Sequence, residues 1–233
     1  MRLEDVARAR RDPALVVLEG FHALKHAVRF GGEVLGAWTA DPGALEALRA
    51  RLAPDVALAA EAVDAAALAV VVPRGQVVAV ARRPEQATAD ELLAAPGPAP
   101  VVLLEAPRHL GNLGAVVRVA AAAGAAGVLT TGDLDPWHAD ALRGSAGLHF
   151  ALPVRRVRAV RTGGRPLVAL DPEGGPASAV PPRAVLAFGT ERDGLSDALR
   201  AQADARVALP MRPGVSSLNL ATAVAVTLYG LTG

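Results

Sequence analysis

One arginine stands alone in an apolar stretch. Between Leu113 and Ala123 the only charged side chain is Arg118. A buried charge must find an anionic or polar partner. Gly114 lies four residues before it, on the same helical face if the stretch is a helix, and leaves room for a substrate atom beneath the guanidinium. Asn112 precedes both, a residue type that caps helices through its side-chain oxygen. Two further clusters follow. Gly189-Thr190-Glu191-Arg-Asp-Gly194-Leu195 sets a carboxylate in a turn between two glycines, Gly189 where a ligand could approach the backbone and Gly194 where the chain needs positive φ. Leu209-Pro-Met211, then Ser216-Ser217-Leu218-Asn219, offers hydroxyls and an amide, and either serine could cap the helix that follows. Asn219 and Thr222 then share a face. Taken singly, each cluster equally fits a capped helix or a solvated surface loop.

Each cluster follows an apolar strand, and strand ends are where open α/β sheets bind ligands. Strands are expected at Val101–Glu105, Gly127–Thr130, Phe150–Val154, Leu167–Leu170, Val185–Phe188 and Arg206–Leu209. Helices are expected at Asn112–Ala123 and Leu218–Leu231. Strands without alternation imply a mostly parallel sheet covered on both faces. The last helix is apolar almost all round, which suits a core or a subunit interface. Upstream, the pattern predicts helices at Leu3–Arg11, Phe21–Phe30 and Pro42–Leu52, and strands at Ala14–Leu18, Val34–Trp38, Val56–Ala59 and Val77–Ala81. That alternation is again α/β. Ala94 to Pro100, with three prolines and a glycine, reads as an extended linker between residues 1–93 and 101–233.

Composition excludes several classes. With no cysteine among 233 residues there are no disulfides and no thiolate metal sites, and the five histidines lack ligand spacing, so no metal is expected. Net charge is +1, which leaves nucleic-acid binding to local basic faces. Arg155, Arg156, Arg158 and Arg161, the pair Arg82 and Arg83, and Arg8, Arg10 and Arg11 are candidates for phosphate contact. The first residues, Met1 to Asp5, lack a signal peptide's apolar core, and the longest apolar run, near Ala66 to Val72, is too short to span a bilayer. A soluble, cytoplasmic protein without membrane contact is expected.

In this order and spacing the three clusters resemble the signature motifs of the SpoU (TrmH-like) RNA 2′-O-ribose methyltransferases of the SPOUT superfamily. Arg143-Gly-Ser145-Ala-Gly147-Leu-His149 is similar to that family's small-residue segment before a strand. The resemblance implies a C-terminal α/β domain with a deep trefoil knot at 101–233, S-adenosyl-L-methionine as cofactor and a homodimer. The Leu18-to-Leu24 stretch resembles the L30e-like α/β substrate-binding domain that precedes many such catalytic domains, here residues 1–93. Residue by residue, the resemblance assigns catalytic roles to Asn112, Arg118, Glu191, Ser217 and Asn219. It assigns cofactor contact to Ala169, Leu170, Gly189, Leu209, Met211 and Leu218. The chain departs from the family at Ala221, where a small polar residue is usual. The implied substrate is RNA, because only RNA offers the 2′-hydroxyl, and the separate N-terminal domain favours rRNA over tRNA. The alternatives are a tRNA 2′-O-methyltransferase and a non-catalytic RNA-binding protein of the same fold, which would be expected to lack Arg118 or Asn219. A nucleotide-dependent oxidoreductase would also put glycines at strand ends, but the Gly-x-Gly-x-x-Gly spacing is absent at Gly111 and Gly114.

Overall fold

The computed structural model describes residues 1–73, 75–176, 180–190, 193–215 and 217–231. It divides into two compact units, one of residues 1–85 and 137–151, the other of residues 86–136 and 152–233.

The chain begins with a 3₁₀ turn at Leu3–Asp5 and a short helix α1 (Val6–Ala9), then β1 (Leu15–Glu19), α2 (Phe21–Arg29), β2 (Val34–Thr39), α3 (Pro42–Leu52), β3 (Glu61–Ala62), α4 (Ala65–Val71) and β4 (Val77–Arg82). Local chemistry sets the helix starts. The Asp41 carboxylate accepts from Ala44 N at 2.8 Å with Pro42 in the first turn, and Asp64 accepts from Ala66 N and Ala67 N. The four strands form one sheet in the order β1-β4-β2-β3, antiparallel except for the β2–β3 pair. Leu18, Phe21, Leu24 and Ala27 pack on one face of it, and Val6, Trp38, Leu68 and Val72 on the other. Val56–Ala59 forms no strand, contrary to expectation. Pro54 and Asp55 precede it, Val56 N closes a turn on Ala53 O, and the Val56 side chain serves as a plug in the core.

The second unit opens with α5 (Ala89–Ala94), β5 (Val101–Leu104), α6 (Leu110–Ala122) and β6 (Gly127–Thr130). The chain then returns to the first unit with α7 (Ala139–Gly144) and a 3₁₀ turn at Leu148–Phe150, where Trp137, Leu142 and Phe150 join the core and His149 Nδ1 lies 2.7 Å from Ser145 Oγ. Phe150 therefore does not begin the next strand, which is β7 (Val154–Arg156), followed by β8 (Leu167–Pro176), β9 (Val185–Phe188), α8 (Asp197–Gln202), β10 (Ala205–Ala208) and α9 (Leu220–Gly230). Gln86 holds the re-entry point, donating to Leu152 O and accepting from Val154 N. The six strands run β10-β8-β9-β5-β6-β7, every pair parallel. All residues of β5, β6 and β9 are buried, as expected for a sheet covered on both faces.

The 94–100 segment does not separate the units. The contact boundary falls after Glu85, and Leu92 and Leu93 of α5 are buried in the core of the second unit with Val101, Leu103 and Val185. A capping box starts α5, Thr88 and Glu91 bonding reciprocally. Prolines deprive the following backbone of ladder partners, and Arg165 supplies them. It is 3% exposed, and its guanidinium donates to the carbonyls of Leu92, Leu93, Ala95, Ala99 and Arg183. Desolvation lowers its pKa, but a guanidinium stays charged. The proline-rich stretch is thereby fastened to the second unit.

Candidate active site

The carboxyl ends of β8, β9 and β10 open onto a cleft of about 700 Å³, mouth included, lined mainly by apolar side chains. Of the residues expected at the cofactor, Leu170, Gly189, Leu209, Met211 and Leu218 line it, joined by Ser217. Ala169 does not. It is fully buried within β8, paired with Ala187 and Arg206. Asp171, Pro172, Phe188, Thr190, Val207 and Leu220 also line the cleft and were not singled out from sequence. The Asp171-Pro172 pair directly after an apolar strand was a turn signal that pointed there.

The loop after β9 is built around two glycines. A Cβ on Gly189 would sit 1.9 Å from the carbonyl carbon of Gly194, so no other residue fits. Thr190 and Gly194 exchange backbone hydrogen bonds of 3.0 and 3.2 Å, and Gly194 takes φ +68°. Thr190 Oγ1 also accepts from Asp193 N. Glu191, the expected bracing carboxylate, lies outside the described residues. Glu105, at the end of β5, accepts from both Ser196 N and Ser196 Oγ at 2.7 Å, while Arg108 pairs with Asp193. The loops after β5 and β9 are thus tied together.

Asn112 is not the cap of α6. The helix begins two residues earlier, with His109 at the cap position and no side-chain cap bond. Asn112 Oδ1 instead accepts from Asn219 Nδ2 at 3.2 Å. Ser216 lies outside the described residues, and Ser217 does not cap α9. Asn219 does, its Oδ1 accepting from Ala221 N at 2.9 Å and Thr222 N at 3.4 Å. An asparagine can do both because its amide has separate donor and acceptor ends. Asn219 therefore joins the first motif to the third, and α6 packs against α9. Arg118 lies exposed on α6 while Leu113, Val116, Val117 and Ala120 are buried. Among the described residues it has no partner, and it does not line the cleft.

The other arginines divide. Arg8, Arg10 and Arg82 pair with Asp5, Glu19 and Glu33, and Arg83 lies over the Trp137 ring. Arg156 donates to Asp133 O. Arg11, Arg158 and Arg161 have no partner among the described residues. Among those residues no group of three or more His, Asp or Glu could hold a metal, and no helix is long and apolar enough to cross a membrane.

The fold as a whole resembles that of solved proteins. The SpoU methyltransferase AviRb from Streptomyces viridochromogenes, determined in complex with the cofactor AdoMet, superposes with a TM-score of 0.79 over 97% of this chain and 94% of that one, at 25% identity. A 23S rRNA (adenosine(1067)-2′-O)-methyltransferase of Streptomyces laurentii is 33% identical over 141 residues, 55% of this chain and 52% of that one. The 23S rRNA (guanosine(2553)-2′-O)-methyltransferase RlmP of Bacillus subtilis is 32% identical over 174 residues, 68% of this chain and 65% of that one. The chain thus spans between about half and two thirds of the length of these two relatives. Residues 99–229, which carry β5 to α9 and all three motifs, match the sequence profile of the SpoU rRNA Methylase family, and the chain belongs to that family.

Proposed function

We propose that this protein is an S-adenosyl-L-methionine-dependent methyltransferase acting on a ribose 2′-hydroxyl in structured ribosomal RNA. The observation that carries this reading is that the second and third motif segments line the cleft beside β8, β9 and β10, with the first joined to the third through the Asn112–Asn219 bond, in a chain of the SpoU family. The cleft suits the cofactor in chemistry. Leu170, Phe188, Leu209 and Met211 offer apolar surface to the adenine base and the methylenes of the methionine chain, and the side-chain-free Gly189 lets a ligand reach backbone groups.

When bound, the cofactor supplies an electrophilic methyl group on a sulfonium. The protein's share is to align the hydroxyl and ease the loss of its proton, since a neutral 2′-hydroxyl is a poor nucleophile. Asn219 is held at both ends of its amide, by the backbone of α9 and by Asn112, and so forms a preorganised polar group. Arg118 carries a cation with no partner among the described residues. A guanidinium is already protonated at neutral pH and has no free site to act as a base. Its role here is to bind a phosphate and stabilise the developing alkoxide. Ser217 and Glu191 orient the same network in this reading.

The finer expectations belong to the same proposal. The segment after β10 closes a deep trefoil knot, a reading favoured by the position of β10 beside β8 and by the packing of α9 on α6. The exposed Leu218, Val226 and Tyr229 favour a homodimer covering α9. The first unit, an L30e-like α/β body, serves as the RNA-binding domain, and the enzyme works in the cytoplasm, where ribosomal RNA is found.

Purified protein should move labelled methyl from S-adenosyl-L-methionine to undermethylated ribosomal RNA, and RNA with blocked 2′-hydroxyls should accept none. Label recovered on bases would overturn the ribose assignment.

A further inference from the structure

One wall of the cleft is a bulge held by an ion pair. β8 and β10 are in register at Val168 with Ala205 and Ala169 with Arg206, but the next pairs are Gly175 with Val207 and Pro176 with Ala208. One step along β10 thus spans residues 170–174 of β8, which loop out of the ladder. Leu170, Asp171 and Pro172 of this loop line the cleft.

Such an excursion needs fastening, because its backbone has left the sheet. Asp171 provides the fastening. Its side chain is only 4% exposed, and its Oδ2 accepts from Arg206 Nε at 2.9 Å and lies 2.8 Å from Arg206 Nη2. Its Oδ1 accepts from Glu173 N at 3.0 Å, forming the turn at Pro172. Arg206 Nη2 also reaches Glu173 Oε2 at 3.2 Å. At the far end of the loop Gly174 lies against β10, where a Cβ would come within 2.6 Å of the Val207 backbone. Arg206 stands at the last residue of β10 before the register jumps, so it spans the base of the bulge.

We propose that Arg206 and Asp171 are positioning residues that preset the cofactor wall formed by residues 170–172. Neither acts on the methyl group or the hydroxyl. The clamp holds in the free protein a wall that the ligand would otherwise have to order on binding, and ordering costs affinity. This inference rests on reading the cleft as the S-adenosyl-L-methionine site.

The test uses the full chain, titrated calorimetrically with S-adenosyl-L-methionine and S-adenosyl-L-homocysteine, with amide hydrogen exchange measured on the free protein. Arg206→Ala should raise Kd for both ligands about tenfold or more, and raise KM for the cofactor while leaving kcat at saturation within about threefold. The amide of Glu173 should exchange faster in the free variant. Arg206→Lys should recover part of the affinity, because an ammonium keeps the charge and loses the fork. Arg200→Ala, which removes a neighbouring arginine paired with Asp197, should bind like wild type. Asp171→Asn keeps the turn acceptor and should fall between wild type and Arg206→Ala, giving a second reading should Arg206→Ala fold poorly. If wild type binds and both Arg206→Ala and Asp171→Asn bind within twofold of it, the clamp is overturned while the cleft assignment stands. If wild type binds neither ligand, the cleft assignment falls, and the clamp's role toward the cofactor falls with it.

Discussion

The two units use arginine differently. In the first, Arg8, Arg10, Arg29, Arg49, Arg82 and Arg143 each face a carboxylate. In the second, Arg165 is buried among carbonyls, Arg206 clamps a loop, and Arg118, Arg158 and Arg161 have no partner among the described residues. A cation already paired has less to gain from a phosphate, because it must give up its carboxylate first. Among the described residues the unit expected from sequence to bind RNA thus carries mostly neutralised arginines, Arg11 being an exception, whereas the unit with the cleft leaves Arg118, Arg158 and Arg161 unpaired. Charge in the first unit is largely local bracing; in the second it is divided between a buried staple and an available surface.

The largest effect should come from the staple. Arg165→Ala leaves five carbonyls without their donor and should cost roughly 3–5 kcal/mol of stability. Hydrogen exchange should show β5 and β9 opening earlier than in wild type. Both tryptophans, Trp38 and Trp137, belong to the first unit, so their fluorescence serves as the internal control. Normal protection of β5 and β9 in the variant would mean that the proline-rich stretch needs no staple.

Arg118→Ala should follow, lowering turnover roughly 10²–10³-fold with cofactor affinity nearly unchanged, since Arg118 does not line the cleft. Arg118→Lys should restore little, because an ammonium cannot reproduce the planar fork. Turnover of the alanine variant within a few-fold of wild type would reduce Arg118 to a surface residue.

What the sequence made legible follows from how local each signal is. The buried parallel strands read directly as apolar runs, so β5, β6 and β9 sit where expected. Gly189 and Gly194 were legible because a backbone approach of this kind leaves no choice of residue. Cap assignments were less so. Asn112, Ser217 and Asn219 are all good capping residues, yet α6 starts two residues before Asn112, and of the three only Asn219 caps a helix while its amide also bonds Asn112, 107 positions away. The domain boundary misled for a related reason. Prolines do break regular structure, but whether the broken segment swings free depends on Arg165, some seventy positions away. The helix α5 was missed although its Thr88-x-x-Glu91 capping box was present; the alanines and prolines nearby masked it. The return of residues 137–151 to the first unit has no local signature at all.

The contrast in charge can itself be broken by an RNA titration. Arg158→Ala and Arg161→Ala should each weaken RNA binding modestly and reduce the slope of log K against log salt by about 0.7–0.9. Arg82→Ala should leave both nearly unchanged, because Arg82 is bonded to Glu33 through Nε and Nη2. The reverse pattern would restore the first unit as the main RNA surface. The arginine pairs there would then be a resting state that RNA displaces.

The smallest expected effect is a pH dependence confined to the first unit. His26 is half-buried on α2, and desolvation pushes its pKa below the ordinary 6.5, opposed in part by its hydrogen bond to Ala146 O. At neutral pH the ring is uncharged whether the chain is folded or not, and the group contributes no penalty. As pH falls through about 6.5 the unfolded chain takes up the proton first, while the folded unit resists it until lower pH. Stability is therefore full above that range and lost as the solution is acidified. Denaturant unfolding followed by fluorescence of Trp38 and Trp137 should show a midpoint that drops between pH 7 and pH 5, and the drop should be shallower in His26→Asn. That variant keeps a donor for the Ala146 carbonyl but cannot titrate. Equal slopes for the two proteins would show that His26 does not control this transition. Acid sensitivity would then have to come from carboxylates such as Glu33 and Asp55, whose pKa values are lowered chiefly by hydrogen bonds from Arg82 and Arg29, and it would set in as pH falls through the usual carboxylate range, where the unfolded chain takes up protons first.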